Sequence, residues 1–299
     1  MRMSIGVVLS GLHADRAKDL PANARHAEGL GLDALFVGDH LFAPGPVLDS
    51  TLTLATAAAV TERIGLGFGV MVPALRGPVR AAKQVATLQV LSGDRVILGV
   101  GSGGDPYGGA GWEAAGVPYA DRGRLTDAAL AVLPDLIAGK PTRVDGADVA
   151  VTLAPGASVP PIWVGGNSAV ARRRAAEHAT GWFPSMRLPA DVARGARHLA
   201  ELAEARDRPR PDIAIGGAVL LGDDPPPALL DDFAHGVRDY GIPAETIPRL
   251  PITGPPARAA ERLAEYAEAG ATHAVLGVIG DDWQRQCELL AETRALLSD

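Results

Sequence analysis

The sequence is poor in cysteine and has no long apolar run. Its single cysteine, Cys287, excludes a disulfide framework and is typical of a chain that folds in a reducing compartment. Because Cys287 lies in a helix-like segment, we interpret it as a small buried core residue and not as a nucleophile. No segment reaches the roughly 18 consecutive apolar residues of a membrane span, and the opening MRMSIGVVLSG has no cleavage pattern. We therefore predict a cytoplasmic protein without a membrane partner.

Basic charge and aromatic residues are also scarce. A formal net charge of -7 without a basic tract argues against a nucleic-acid-binding surface. Apolar residues are plentiful: a hydrophobic fraction of 47% supplies a sizeable core and excludes global disorder. The length of 299 residues is close to the roughly 250 residues of a (β/α)8 barrel. We predict a single barrel domain over residues 1–299.

Short apolar runs alternate with helical segments along the chain. The opening phrase AEGLGLDALFVG returns near the end as AEAGATHAVLGV, which indicates a repeated helix-glycine-strand unit. The runs that predict strands are 5–9, 34–37, 64–70, 95–100, the run that starts at 160, 182–183, 213–221 and 273–278. Eight parallel strands alternating with helices predict an α/β fold of the (β/α)8 TIM barrel type. A doubly wound open sheet is the alternative, disfavoured because the first strand-helix turn lacks a G-x-G-x-x-G motif.

Two segments interrupt this regular alternation. Residues 142–153 predict a short hairpin insertion around Asp145-Gly146. Residues 222–256 are rich in proline and too long for a plain connection, so they predict a lid-like insertion with a short helix at 229–239.

Asp39 and His40 follow the predicted strand 34–37, after Gly38. The carboxyl ends of parallel strands carry the chemistry in barrel enzymes, so this pair is a candidate for catalysis. An isolated Asp-His pair is also compatible with a loop cap and a backbone-bonded histidine. Glycine-rich loops at neighbouring strand ends favour the catalytic interpretation.

Those loops are residues 101–104 and 165–168. Without Cβ atoms, they expose successive backbone N–H groups, and the second leads directly into a helix N-terminus that favours phosphate. Either loop alone is equally compatible with a tight turn. Three arginines lie one turn into the helix and could add charge, although a solvated helix face is expected for at least two of them: Arg172, Arg173 and Arg174.

Three blocks of sequence together resemble the bacterial luciferase-like flavin oxidoreductases. They are AEGLGLDALFVGDHLF, TERIGLGFGVMVPALRGPVRAAKQVATLQVLSGDRVILGVGSG and PPIWVGGNSAVARRRAAEHATGWFP. The resemblance implies a (β/α)8 barrel, a homodimer, and either FMN or the 8-hydroxy-5-deazaflavin coenzyme F420. The GDH form at Gly38, Asp39 and His40 is more similar to the deazaflavin-using branch.

The resemblance also assigns residues. It implies that Asp39 and His40 face the flavin ring, with His40 as general acid/base, and that Val70 and Met71 support the ring through backbone that often contains a non-prolyl cis peptide. Gly101, Ser102 and Gly103 would contact the coenzyme, and Gly165, Gly166 and Asn167 would hold its phosphate. No metal ligand set is predicted.

The sequence departs from the sugar-phosphate dehydrogenases of this branch at two places. Gly104 stands where they carry an acidic residue, and Pro44, with Phe42 nearby, replaces their aromatic residue. A sugar phosphate would also need a cationic cluster, for which Arg76 is the only obvious candidate in the loop after the third strand. We therefore predict an F420-dependent oxidoreductase that acts on a small organic substrate, favours reduction and does not oxidise glucose-6-phosphate. The alternatives are an FMN monooxygenase and a non-catalytic flavin-binding barrel.

Overall fold

The computed structural model describes residues 3–9, 14–41, 47–104 and 109–297, without the side chains of 14–16 and 239. Phe42, Pro44 and Asp105, which bear on the predicted substrate, lie outside these ranges. The described strands are β1 Ser4–Val8, β2 Ala34–Val37, β3 Gly65–Met71, β4 Val96–Val100, β5 Ile162–Gly165, β6 Gly181–Phe183, β7 Asp212–Leu221, β8 Ile252–Gly254 and β9 His273–Val278.

All neighbouring strands of the sheet are parallel, and the sheet closes on itself. Strands β1 to β7 pair in chain order, β9 pairs with β7, and β9 also pairs with β1. Strand β8 stands outside this ring and pairs with the carboxyl end of β7, from Val219 to Leu221. The predicted (β/α)8 TIM barrel is confirmed.

Helices surround the barrel, with Ala110–Ala114 beside the cavity at the carboxyl ends of the strands and Pro227–Gly236 in the proline-rich insertion. They are α1 Leu20–Gly29, α2 Ser50–Ala58, α3 Pro78–Ser92, α4 Ala110–Ala114, α5 Arg122–Ile137, α6 Ala169–His178, α7 Pro189–Glu204, α8 Pro227–Gly236, α9 Pro256–Glu268 and α10 Trp283–Leu296. The local sequence explains several boundaries: Asp49 accepts the Leu52 N–H at 3.0 Å and caps α2, and proline opens α3, α7 and α9. No helix within the described ranges combines the length and apolarity needed to cross a bilayer.

Glycine alternates with large apolar residues in β3, and this pattern fills both sides of the barrel wall. Leu66 and Phe68 are fully buried in the main core cluster, which includes residues of the surrounding helices. A Cβ atom on Gly67 would lie 2.2 Å from the Phe36 ring, so glycine leaves the interior to that aromatic side chain. Phe36, Trp163 and Phe183 pack together inside the barrel with ring centroids 5.7 to 6.2 Å apart. Phe183 also reaches the cavity at the carboxyl ends of the strands.

Both insertions are present, and the second contains more structure than expected. In the first, Thr142 and Val151 exchange two backbone hydrogen bonds of 2.9 Å as an isolated antiparallel pair. In the second, the predicted helix 229–239 begins and ends earlier, at Pro227–Gly236. Strand β8 was not predicted, because three residues between Pro251 and Pro255 are too few to show a periodic pattern.

Candidate active site

A cavity of about 590 Å³ opens at the carboxyl ends of the barrel strands. This is the end at which barrel enzymes place their active sites. The described residues that line it are Asp39, His40, Leu41, Gly69, Val70, Val72, Leu75, Gly101, Ser102, Gly103, Gly104, Gly111, Trp112, Gly165, Gly166, Phe183, Ser185 and Tyr240.

Most of the residues predicted for the coenzyme site meet at this cavity. They are Asp39, His40, Val70, Gly101, Ser102, Gly103, Gly165 and Gly166. Met71 does not line it, because its side chain is fully buried in the main core cluster. Asn167 does not line it either: its amide accepts the Ser185 N–H at 3.2 Å and donates to the Ser185 carbonyl at 3.0 Å. Asn167 thus ties the loop after β5 to the loop after β6.

Asp39 is held by a network that links three elements. Its carboxylate accepts hydrogen bonds from the Ser50 hydroxyl at 2.8 Å and the Val72 N–H at 2.9 Å. The guanidinium of Arg76 binds both carboxylate oxygens, through Nη2 at 2.7 Å and through Nη1. With 6% of its side chain exposed, Asp39 is nearly buried. It therefore fixes the end of β2 to the end of β3 and the start of α2, and we assign it a positioning role; its predicted contact with the coenzyme stays a prediction.

His40 is the next residue, and it is exposed at the cavity. A Cβ atom on Gly38 would lie 3.0 Å from His40 Nε2, so glycine at 38 leaves room for the imidazole to fold back over the end of β2. The rigid network around Asp39 supports the backbone from which His40 projects. A proton-transferring group needs this kind of fixed placement.

The end of β3 forms part of the cavity floor. The peptide bond between Gly69 and Val70 is cis, so the non-prolyl cis peptide implied for this stretch directly precedes Val70. The methyl groups of Val70 approach two neighbouring strands: a Cβ on Gly101 would lie 2.5 Å from Cγ2, and one on Gly165 would lie 2.9 Å from Cγ1. These two glycines of the predicted coenzyme loops therefore make room for Val70.

The loop after β5 leads into the N-terminus of α6. Gly166 has φ of 122°, a conformation that L side chains rarely adopt. The Ser168 hydroxyl caps the helix by accepting the Ala171 N–H at 3.1 Å. Residues 168 to 170 are exposed and form the N-terminus of α6, a position that favours an anion.

The three arginines of α6 are all engaged away from the cavity. Arg172 donates to the Asn167 carbonyl at 2.9 Å and to His198 at 3.0 Å, and burial lowers its pKa. Arg173 binds Glu177 at 2.8 Å, and Arg174 binds Asp127 at 2.6 Å. An anion at this loop would consequently be held by backbone N–H groups and the helix dipole, not by these side chains.

Several lining residues were not found by the sequence analysis. Trp112 donates its indole N–H to the Gly104 carbonyl at 3.0 Å and packs on Gly103, whose φ is 70°. Tyr240 reaches the cavity from the proline-rich insertion. Trp112 follows β4 closely, eight residues after Gly104, whereas Tyr240 is distant in sequence from most of the other lining residues. The scarcity of aromatic residues was the only available indication of their importance.

The family comparison agrees with this geometry. Residues 3–240 match the family model described as luciferase-like monooxygenase. The chain belongs to this family. It is 33% identical over 179 residues to an uncharacterized protein of Mycobacterium tuberculosis, a match that covers 58% of this chain and 61% of that protein, or about three fifths of its length.

Two further comparisons extend over more of the chain. A protein of Beutenbergia cavernae named F420-dependent glucose-6-phosphate dehydrogenase is 31% identical over 296 residues, with 86% of each chain covered. A solved F420-dependent secondary alcohol dehydrogenase, in complex with an F420-acetone adduct, superimposes with a TM-score of 0.85 at 18% identity over the full length of both chains. At that identity the second comparison shows a shared fold.

Proposed function

We propose that this member of the luciferase-like family is an oxidoreductase that transfers a hydride between coenzyme F420 and a small organic substrate. The observation that carries the proposal is the convergence of His40 with the glycine-rich ends of β4 and β5 on one cavity. A titratable side chain beside exposed backbone N–H groups combines a proton-transfer group with a phosphate-binding surface.

The residues present fit a deazaflavin phosphate ester. Val70 and Phe183 offer apolar contact to a planar ring, and glycine at positions 101 and 165 leaves room for the Val70 side chain at the cavity floor. The phosphate would lie at Gly166 and the N-terminus of α6, where exposed backbone groups and the helix dipole favour an anion. When bound, the coenzyme supplies or accepts the hydride.

Side chains of the protein position the reacting groups, transfer the proton and limit the access of water. Asp39, held by Arg76 and Ser50, fixes the backbone that carries His40. His40 donates a proton to the substrate during reduction and accepts one during oxidation. Trp112 and Phe183 form apolar walls that limit water at the reacting atoms. We retain the predicted preference for reduction and the predicted absence of glucose-6-phosphate oxidation.

Two of the relatives support the choice of F420, since the Beutenbergia cavernae protein and the solved alcohol dehydrogenase are both named for this coenzyme. The family description, luciferase-like monooxygenase, favours FMN as the second candidate. The two proposals differ in chemistry, because a deazaflavin does not readily activate oxygen. Oxygen uptake with reduced FMN and a substrate would favour the monooxygenase.

Coenzyme binding tests the proposal directly. We expect F420 to bind at least tenfold more tightly than FMN, a difference of about 1.4 kcal/mol. Quenching of tryptophan fluorescence measures both affinities, and Trp112 at the cavity wall is well placed to report them. Trp112→Phe is the control that identifies the source of the signal. Equal affinities, or tighter binding of FMN, would overturn the assignment of the coenzyme.

We also propose that the protein is a homodimer, as the family resemblance implies. Helix α2 contains no charged residue, and Leu52 on its outer side is 70% exposed. An uncharged outer face suits a contact with a second copy of the chain. Light scattering after size-exclusion chromatography should give twice the monomer mass, and Leu52→Glu should shift the protein toward monomer. A monomeric parent protein would contradict the proposal.

A further inference from the structure

We infer that Arg172 and Trp182 are positioning residues for the coenzyme phosphate, because they hold two carbonyl groups of the loop after β5 turned away from it. This inference rests on the proposed function, since it concerns how the same loop binds the phosphate. Three observations carry it: the direction of two peptide groups, the N–H groups of the loop that are already used, and the partners of the cation behind the loop.

Trp182 fixes the peptide group between Gly166 and Asn167. Its indole N–H donates to the Gly166 carbonyl at 2.8 Å. The indole is buried in the main core cluster against α7, where a Cβ atom on Gly195 would lie 2.1 Å from the ring. The Gly166 carbonyl therefore points toward α7. This peptide is trans, so the N–H of Asn167 points in the opposite direction.

Arg172 fixes the next peptide group in the same way. Its Nη1 donates to the Asn167 carbonyl at 2.9 Å, and its Nε donates to Nδ1 of His198, on α7, at 3.0 Å. The guanidinium carbon lies 5.7 Å from the centroid of the Trp182 ring, so the two donors stand on the same side of the loop. The N–H of Ser168 shares the peptide group of the Asn167 carbonyl and points away from both donors.

The two N–H groups turned away from α7 are not used within the described ranges. The preceding N–H, that of Gly166, donates to the Phe183 carbonyl at 3.1 Å and joins the ends of β5 and β6. No acceptor among the described residues is found for the N–H of Asn167 or of Ser168. Successive unpaired N–H groups at the start of a helix favour an anion. Holding the carbonyl oxygens on the other side keeps their partial negative charge away from it.

The charge of Arg172 distinguishes it from the two arginines that follow on α6. Arg173 and Arg174 each pair with a carboxylate, at 2.8 and 2.6 Å. In the described part of the chain Arg172 has no carboxylate partner: its side chain donates to a carbonyl and to the acceptor nitrogen of His198. Arg172 is half-buried, and burial lowers its pKa. A half-buried cation without a counterion is stabilised by an anion nearby, so Arg172 suits a loop that binds phosphate.

A pair of ligands that differ only in the phosphate tests the role of Arg172. They are 8-hydroxy-5-deazariboflavin and its 5′-phosphate, and the fluorescence of the deazaflavin reports the binding of both. Arg172→Met keeps the length of the side chain and removes its donors. We expect it to weaken binding of the 5′-phosphate at least tenfold and to change binding of the phosphate-free form less than twofold. Equal weakening of both ligands would show a purely structural role and overturn the inference.

Two further substitutions separate hydrogen bonding from charge. Arg173→Met removes the same charge from the next position of the helix, at a residue that binds Glu177 and not the loop. It should weaken binding of the 5′-phosphate less than threefold. Arg172→Lys keeps the charge without the planar fork and should be intermediate. Equal losses in Arg172→Met and Arg173→Met would reduce the effect to net charge and contradict the positioning role.

Trp182→Phe tests the second residue without a change of charge. It removes the donor to the Gly166 carbonyl and keeps an aromatic ring in the core. The affinity for the 5′-phosphate should fall at least threefold relative to that for the phosphate-free form. This ratio is measured on folded protein, so a lower melting temperature of the variant does not affect it. An unchanged ratio would exclude Trp182 as a positioning residue.

Failure of the inference is distinguishable from failure of the proposed function. If the parent binds F420 but binds the deazariboflavin and its 5′-phosphate equally well, the loop does not bind phosphate and the inference is wrong. If the parent binds FMN and not F420, the assignment of the coenzyme is wrong, and FMN and riboflavin become the matched pair for the same variants. A parent that binds none of these compounds would overturn both.

Discussion

The two ends of the barrel use charged side chains in different ways. At the amino ends of the strands, the Glu28 carboxylate accepts the N–H groups of Glu62, Arg63 and Ile64 at 2.7 to 3.1 Å. Burial alone would raise the pKa of Glu28, but these hydrogen bonds outweigh it and lower the pKa. At the carboxyl ends, backbone and side chains face a cavity. Glu28 thus stabilises the amino ends of the strands, whereas we expect activity to depend on the carboxyl ends, as is usual for this fold.

Strand β2 shows the contrast within one element. Asp33 precedes the strand, accepts the Ile5 N–H at 2.8 Å and pairs with Arg294 at 3.2 Å. Asp39 follows the strand and binds a backbone N–H and Arg76 in the same manner. The two carboxylates have similar partners, and only the second is followed by a histidine exposed at a cavity. The difference predicts that substitutions of cavity-lining residues at the carboxyl ends alter activity, whereas substitutions at the amino ends alter stability.

The largest expected effect is at His40. His40→Asn keeps much of the side-chain volume but removes the titrating group, so turnover should fall by roughly 10² to 10⁴. F420 affinity and the melting temperature should remain close to those of the parent, because His40 is exposed. Steady-state kinetics, fluorescence titration and thermal melting measure the three quantities. Unchanged turnover would exclude His40 as the proton-transfer group.

The second-largest expected effect is a loss of stability on substitution of Arg95, at the amino ends of the strands. Arg95 donates to the carbonyls of Ala58, Thr61 and Ile64 at 2.8 to 3.2 Å, and it closes the C-terminus of α2. Arg95→Met leaves these acceptors without their donor and should lower the free energy of unfolding by about 2 kcal/mol, since water replaces part of the loss. Arg95→Lys keeps the charge without the planar fork and should be intermediate. Urea unfolding gives both values. If Arg95→Met lowered turnover per folded molecule, the prediction that the amino ends of the strands govern stability and not activity would be contradicted.

A smaller effect is expected at Gly166. Valine there would carry a branched side chain at φ of 122°, with its Cβ 3.2 Å from Ala171, next to the proposed phosphate position. F420 affinity should fall at least tenfold, or about 1.4 kcal/mol. Gly222 is a matched control, because its φ is 138° and a Cβ would meet nothing within 4 Å. Gly222→Val should therefore cost similar backbone strain without weakening coenzyme binding. Equal effects of both substitutions on affinity would make Gly166 a structural turn.

The sequence was sufficient for the barrel and for the strand ends that meet at the cavity. The continuous apolar runs and the glycines after them report local requirements, namely burial and close backbone approach. The partners of Asp39 could not be predicted, because Ser50 and Arg76 approach it only after the chain has folded. The same limit applies to Trp112, on the short helix α4 that follows β4, and to Tyr240, in the proline-rich insertion, because periodicity does not encode the paths of these connections.

The smallest effect concerns His273, at the amino end of β9. Its Nδ1 lies 2.8 Å from the Thr272 hydroxyl, and its ring packs edge-on to Trp163 with centroids 4.9 Å apart. Burial lowers the pKa of His273, and the carboxylates of Asp212 and Asp33 oppose the shift only in part.

The sign of the pH effect follows from this shift. Below the ordinary histidine pKa of about 6.5, the unfolded chain binds a proton that the folded protein takes up only at lower pH. The stability that neutral His273 contributes is therefore fully present above about pH 6.5 and is lost as the pH falls toward the folded-state pKa.

His273→Gln retains a polar partner for Thr272 without titrating, so the unfolding free energy of the variant should decline less steeply than that of the parent as the pH falls from about 7.5 to 5.5. The unfolding free energy of the variant should still decline somewhat as the pH falls, because burial also lowers the pKa of His178. Urea unfolding across this range measures both slopes, and parallel curves would contradict the prediction. The pH profile of turnover should be the same in parent and variant, because His40 lies at the opposite end of the barrel.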